Sequence, residues 1–231
     1  MVSGYIKEVF KSIQGEGKYV GVLQLFVRFA GCSVGCKGCD TDFLRVEQFN
    51  FLDIGQLKNP IDVDLLVDYI VKYVPKNSIH SISITGGEPL DQLLFLTELS
   101  KRLKGNGYKL FLETSGFLIE NLNKVGEWFD IISLDFKLKS SFGREFSLEE
   151  IGKISKDIVD KIYVKTVISK NITVEDIDIL VKGLKILNKN EIYLHFLDNS
   201  NIINDNILNY FYGNDINAYF IPQIHKYLEI R

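Results

Sequence analysis

Between Leu23 and Ile221 the chain alternates apolar stretches of strand length with stretches whose apolar residues recur at helical spacing. That alternation is the strongest constraint on the fold, because strand, helix and strand in succession pack as a parallel βαβ unit. Strands are expected over residues 23–30, 79–85, 109–113, 131–135, 161–168, 191–197 and 218–221. Helices are expected over 61–74, 91–103, 118–125 and 173–188. Pro60 and Pro75 bracket the first helix. Leu93, Leu96, Leu99 and Leu103 form the apolar stripe of the second, with Gly105 as its C-terminal cap. Thr173, with Asp176 three residues on, opens the last in the manner of a capping box.

Six or seven such strands stop short of a closed eight-fold barrel. The expected fold is α/β: an incomplete, laterally open (β/α) barrel of about six parallel strands, with a doubly wound open sheet as the alternative. No repeat, low-complexity tract or linker interrupts the chain, so residues 1–231 read as one domain. Within it, 1–22 form an N-terminal extension and 23–45 the first strand with the loop that follows. In either architecture ligands collect at the C-terminal ends of the strands. The unusual residues fall there: a cysteine loop after 23–30, Thr-Gly-Gly-Glu-Pro at 85–89, Glu-Thr-Ser-Gly at 113–116, Asp-Phe-Lys at 135–137 and His-Phe-Leu-Asp at 195–198.

Composition removes several function classes. Hydrophobic residues at 46% and charged residues at 25% supply enough apolar surface to order the chain, which excludes disorder. The 27 Lys+Arg and 30 Asp+Glu are interspersed, against the basic footprint of a nucleic-acid binder. No apolar run has the length of a membrane span, and the first ten residues lack a signal-peptide core, so a cytoplasmic protein is expected.

All three cysteines, Cys32, Cys36 and Cys39, lie within eight residues. An odd number crowded at one spot is not a disulfide framework. Three thiolates in a glycine-broken loop suit a metal or a cluster. Zinc in a closed site needs a fourth ligand, and His80, His195 and His225 are far away in sequence. A 4Fe–4S cluster normally takes four thiolates, so three leave one iron open to the amine and carboxylate of a small molecule. On the cysteines alone both remain open.

Neighbouring motifs add ligand-binding chemistry. Gly86 and Gly87 allow close backbone approach to a ligand, and the Glu88 carboxylate could receive an ammonium. Gln14-Gly15-Glu16-Gly17 offers an amide and a carboxylate beside exposed backbone, which suits a heterocycle with mixed donors and acceptors. It lacks the Ser or Thr after Lys18 that a phosphate loop requires. Arg28 reads either as a structural ion pair or as a forked clamp on a substrate carboxylate.

The C-x3-C-x2-C spacing and GGEP turn resemble those of radical S-adenosylmethionine enzymes. Together with QGEG at 14–17, FVRFAGC at 26–32, Cys-Asp-Thr at 39–41 and Gln-Ile-His-Lys at 223–226, they resemble the 7-carboxy-7-deazaguanine synthase family over nearly the whole chain. The resemblance implies conversion of 6-carboxy-5,6,7,8-tetrahydropterin to 7-carboxy-7-deazaguanine with loss of ammonia, in queuosine-precursor synthesis. It implies a 4Fe–4S cluster on Cys32, Cys36 and Cys39 and a magnesium ion on Thr41. It implies an S-adenosylmethionine site at Gly38, Cys39, Asp40, Gly86, Gly87, Glu88, Asp135, Phe136, Lys137, His195 and Asp198. The pterin would meet Ile13, Gln14, Gly15, Glu16, Arg28, Thr85, Gln223, His225 and, through its carboxylate, Arg231. A homodimer served by a flavodoxin- or ferredoxin-type reductant is also implied. A glycyl-radical activase shares the cysteine spacing, and a non-enzymatic zinc or Fe–S module is the remaining alternative.

Overall fold

The computed structural model describes residues 1–37, 39, 42, 44–196 and 205–229. The chain opens with β1 (Ser3–Gly4), β2 (Ile6–Ile13) and β3 (Leu23–Phe29). The hairpin of β4 (Gln48–Phe51) and β5 (Gly55–Lys58) follows, then β6 (Ile61–Asp62), which pairs antiparallel with β1. From there strand and helix alternate: α1 (Val63–Tyr73), β7 (Ser81–Gly86), α2 (Leu93–Gly105), β8 (Leu110–Thr114), α3 (Ile119–Val125) and β9 (Ile131–Asp135). Three one-turn helices, α4 (Lys139–Phe142), α5 (Leu148–Ile151) and α6 (Lys156–Val159), lead to β10 (Ile162–Ile168). The chain continues through α7 (Val174–Ile186), β11 (Glu191–Phe196), α8 (Asp205–Gly213), β12 (Asn217–Ile221) and α9 (Ile224–Tyr227).

Ten strands form one sheet in the order β12-β11-β10-β9-β8-β7-β3-β2-β4-β5. Every pairing from β3 to β12 is parallel, which makes seven parallel strands, and β2 joins β3 antiparallel. The sheet ends at β12 and β5 without closing among the described residues. The fold is therefore α/β with the laterally open arrangement expected, one strand richer than about six. The sequence reading had no strand at 6–13 and no hairpin at 48–58. It also placed the second helix's cap early: α2 includes Gly105, and the left-handed turn falls at Gly107 (φ 83°). Thr173 does form a reciprocal capping box with Asp176.

Side chains alternate between the two faces of each strand. One set, including Leu110, Leu112, Ile132, Leu134, Val164, Ile192 and Leu194, joins the main core with Leu96 and Leu99 of α2 and Leu180 and Leu184 of α7. Each such side chain contributes about 1.5–3 kcal/mol by leaving water. The opposite set forms a smaller cluster: Phe111, Ile131, Tyr163 and Tyr193, with Tyr19 against them. Ring centroids of Tyr163 and Tyr193 are 5.5 Å apart, and those of Tyr19 and Phe111 5.9 Å. Two residues further along the same strands, on the same face, stand Glu113, Ser133, Lys165 and His195. An aromatic floor thus carries a polar layer at the C-terminal strand ends.

Candidate active site

A cavity of about 220 Å3 opens above that floor. Its wall on one side is the loop after β3, which brings Cys32, Cys36 and Cys39 to the lining. The loop is stitched to the glycine turn after β7: Gly87 N–H donates to Phe29 O (3.0 Å) and Glu88 N–H to Gly31 O (3.1 Å). A Cβ on Gly87 would overlap the Gly31 carbonyl oxygen, so only glycine allows this contact. Ser33 ties the loop from the other side, its N–H and hydroxyl donating to Asp91 at 2.7 and 2.6 Å. Burial pushes the Cys32 and Cys36 thiols up, so ligation, which removes their protons, has a real cost to overcome. Cys39 is exposed. Gly38, Asp40 and Thr41 lie outside the described residues.

Asp135 and Lys137, at the end of β9, face the same cavity. Lys137 Nζ donates to Asp135 Oδ2 at 2.8 Å and sits 4.1 Å over the Phe142 ring. Burial lowers the Lys137 pKa, but Asp135 outweighs it and holds the ammonium charged. Asp135 Oδ1 is buried with no hydrogen-bond partner among the described residues. A cysteine triad beside a glycine backbone cradle, an orphan carboxylate oxygen and a held ammonium fit a 4Fe–4S cluster with an amino-acid-bearing cofactor on its open iron.

Across the cavity, the 14–17 turn meets the C-terminal segment. Gln223 Nε2 donates to Glu16 Oε1, and Ile224 N–H to Gly15 O at 3.1 Å. A Cβ on Gly15 would strike the His225 ring. Gln14 is committed within the protein: its N–H and C=O bond Val22 and Gly21, and its Nε2 donates to Gln24 (3.1 Å) and Glu113 (3.0 Å). Arg28 lies opposite Thr85 in the β3–β7 register, and both line the cavity. The ion pair expected of Arg28 is present: Nη1 donates to Glu8 at 2.9 Å and the guanidinium lies 5.1 Å over Phe10, while the residue also lines the cavity.

Four expected site residues sit elsewhere. Phe136 is fully buried on the opposite face of β9 and stacks on Phe146, with centroids 4.0 Å apart. The period of two that turns Asp135 inward turns Phe136 into the core. The Glu88 carboxylate is 1% exposed and already accepts from Leu90 N–H, Thr114 Oγ1, Ser115 N–H and Ser115 Oγ. Burial raises its pKa against those bonds, and its place is to fix the turn. His195, fully buried, accepts from Gly17 N–H at 2.7 Å through Nε2, so it braces the 14–17 turn. Ile13 pairs with Leu23 in the β2–β3 hairpin, away from the lining. Asp198 and Arg231 fall outside the described residues.

Sequence reasoning missed Lys165 and gave Glu113 no ligand-binding role. Lys165 is 5% exposed on the inner face of β10, its ammonium paired with Glu16 and 3.5 and 3.7 Å from Glu113 and Asp135. The available signal was its spacing of two from Tyr163, as the one charged residue in the strand Ile162–Ile168.

The family described as a 4Fe-4S single cluster domain matches residues 13–156. The 7-carboxy-7-deazaguanine synthase of Methanocaldococcus jannaschii is 34% identical over 78% of this chain and 77% of its own. That of Thermococcus kodakarensis is 36% identical over 77% and 79%, and that of Methanopyrus kandleri 29% over 97% and 93%. Among solved structures, QueE from Escherichia coli superposes with a TM-score of 0.61 at 19% identity, covering 95% of this chain and 94% of that one. SuiB from Streptococcus suis, bound to S-adenosylmethionine, superposes at 0.54 and 15% identity, covering 89% of this chain and 54% of that one. By sequence relatives that share most of its length, and by a cysteine loop, glycine turn and QGEG turn gathered on one cavity, the chain belongs to the 7-carboxy-7-deazaguanine synthase family.

Proposed function

We infer that the protein is a radical S-adenosylmethionine lyase that converts 6-carboxy-5,6,7,8-tetrahydropterin to 7-carboxy-7-deazaguanine with release of ammonia. The observation that carries this reading is the shared cavity: a thiol triad on one wall and a turn rich in hydrogen-bond acceptors on the other. Cys32, Cys36 and Cys39 would hold the cluster, which together with S-adenosylmethionine would supply the radical chemistry of the reaction. The residues of the chain place and enclose the reactants. Gly86 and Gly87 present backbone to the methionyl part of the cofactor, with Asp135 and Lys137 on its charged groups. The aromatic floor excludes water from below. Glu16 and Gln223 take the N–H groups of the heterocycle, and Thr85 and His225 close its edges.

Arg28 is the clamp on the pterin carboxylate in this reading, with Glu8 holding its fork in position. Losing a charge-assisted contact of that kind costs about 1.5–3 kcal/mol, or roughly ten- to a hundred-fold in affinity. Arg28→Ala should therefore weaken pterin binding by that factor while cluster content and S-adenosylmethionine binding stay as they were. Anaerobic titration of both ligands into the same variant measures it. A lower thermal midpoint with normal pterin affinity would leave Arg28 with the Glu8 ion pair alone.

The magnesium ion is assigned to the Thr41 hydroxyl, in keeping with a hard cation's preference for oxygen. Thr41→Val should retain the cluster and lose the response of turnover to added magnesium. An unchanged magnesium dependence would put the ion elsewhere. The remaining parts of the reading are a cytoplasmic homodimer forming one domain over 1–231 and a flavodoxin or ferredoxin as electron donor. Among the described residues no helix is long and apolar enough to cross a membrane. Glycyl-radical activation, which acts on a protein glycine, leaves the acceptor-lined wall and Arg28 without a partner. Production of 7-carboxy-7-deazaguanine by anaerobically reconstituted protein tests the whole reading.

A further inference from the structure

One lysine faces three carboxylates at the centre of the polar layer. Lys165, from β10, has a 6% exposed side chain and meets Glu16 from the turn after β2, Glu113 from β8 and Asp135 from β9. Only the Glu16 contact is a close pair; Glu113 Oε2 and Asp135 Oδ2 stand at 3.5 and 3.7 Å. The other charged or titratable groups around it are Lys137, which serves Asp135, and Tyr163 and His195 on the neighbouring inner positions. Burial keeps His195 on the neutral side, so it adds no cation.

Among the described residues the carboxylates here outnumber the cations. Glu16, Glu113 and Asp135 face Lys165 and Lys137, and Asp135 Oδ1 and the Gln223 side-chain oxygen are buried with no hydrogen-bond partner among the described residues. Glu16, Glu113, Asp135 and Gln223 all line the cavity. A ligand that satisfies this wall brings N–H donors, as a reduced pterin does along its amino and ring-nitrogen edge. Buried carboxylates packed together without a cation raise one another's pKa and take up protons. With Lys165 beside it, Glu16 stays well below the usual carboxylate range although burial alone would raise it.

We propose that Lys165 is the positioning residue of the pterin subsite: its ammonium holds Glu16 and Glu113 side by side as acceptors for the N–H edge of the heterocycle. This rests on the pterin reading above. Lys165 lines the cavity together with the acceptors, and its part is to position them.

The test is anaerobic titration of cluster-loaded protein with 6-carboxytetrahydropterin, without S-adenosylmethionine, from about pH 6 to about pH 9. Wild type should bind with an affinity that is flat across that window, because Lys165 keeps the Glu16 carboxylate ionised throughout. Lys165→Met should bind roughly ten- to a hundred-fold more weakly near neutrality. Its affinity should also fall further as the pH drops, since the unpaired carboxylates then take up protons. Lys165→Arg, which keeps the cation, should recover most of the affinity and the flat profile. Where Lys165→Met does not fold, Glu16→Gln/Lys165→Met removes both members of the closest pair, which leaves one fewer unpaired carboxylate than Lys165→Met alone. It should keep its cluster and S-adenosylmethionine affinity and lose pterin affinity.

Lys165→Met with wild-type affinity and a flat profile overturns the proposal, as does a double variant that binds pterin normally. Parallel loss of cluster, S-adenosylmethionine and pterin binding in Lys165→Met and Lys165→Arg also overturns it, since that is a purely structural role. Wild type that fails to bind the pterin overturns the functional reading itself, and is told apart by needing no variant.

Discussion

Cys36→Ala is expected to abolish turnover outright while leaving the fold in place. Cys36 is half-buried in the loop after β3 and belongs to neither hydrophobic cluster, so its removal disturbs no packed core. A substitution at such a position changes stability by about 0.5 kcal/mol or less. The chemistry has no such tolerance, because two thiolates cannot hold a cluster that keeps one iron open for the cofactor. Cys32→Ala and Cys39→Ala should behave alike. Iron and sulfide per chain, S-adenosylmethionine cleavage and the thermal midpoint, measured on each variant, check this. Any single variant with a full cluster and turnover would break the ligand assignment.

Gly87→Ala should produce the next largest effect, and by a different route. The added methyl group has no room: it would overlap the Gly31 carbonyl oxygen and approach Cys32 Cβ at 3.1 Å. Both obstacles belong to the cysteine loop, and backbone does not swing aside as a flexible side chain does. The Gly87 and Glu88 hydrogen bonds that stitch the two loops together must lengthen. A displacement of about 1 Å at a reacting centre costs on the order of 100-fold. Turnover should fall by about that factor and S-adenosylmethionine binding should weaken, while the pterin wall, built from residues 14–17 and 223–225, is spared. Paired titrations of the two ligands measure the difference. Equal, wild-type affinities for both would remove the glycine turn from the cofactor site.

The parallel strands were legible because each is an apolar run bounded by glycine, proline or polar residues, and Ile131–Asp135 falls where expected to the residue. The strand Ile6–Ile13 was not legible. Its Lys7, Glu8 and Lys11 break the apolar run, and its buried residues Ile6, Val9 and Phe10 follow no period of two. For the site, sequence located the loops that carry chemistry but not which way each side chain turns. Asp135 and Phe136 are adjacent, yet one lines the cavity and the other stacks in the core. Glu88 lies in the expected turn, but its carboxylate is satisfied by Thr114 and Ser115, which come from the end of the next strand. Lys165 looks like an ordinary polar interruption of a strand until the register of β8, β9 and β10 sets Glu113 and Asp135 beside it and the 14–17 turn adds Glu16. Contacts of that kind depend on which strands are neighbours, and one strand's pattern does not contain them.

The central claim is that this cavity carries out a radical rearrangement of a carboxylated pterin. The most direct measurement is product analysis by mass spectrometry after anaerobic reconstitution with iron and sulfide, with S-adenosylmethionine, magnesium, a reductant and 6-carboxy-5,6,7,8-tetrahydropterin supplied. The account predicts 7-carboxy-7-deazaguanine and one ammonia per product, with S-adenosylmethionine regenerated at each turnover. Reconstituted, cluster-loaded protein that cleaves S-adenosylmethionine but leaves the pterin unchanged would contradict it.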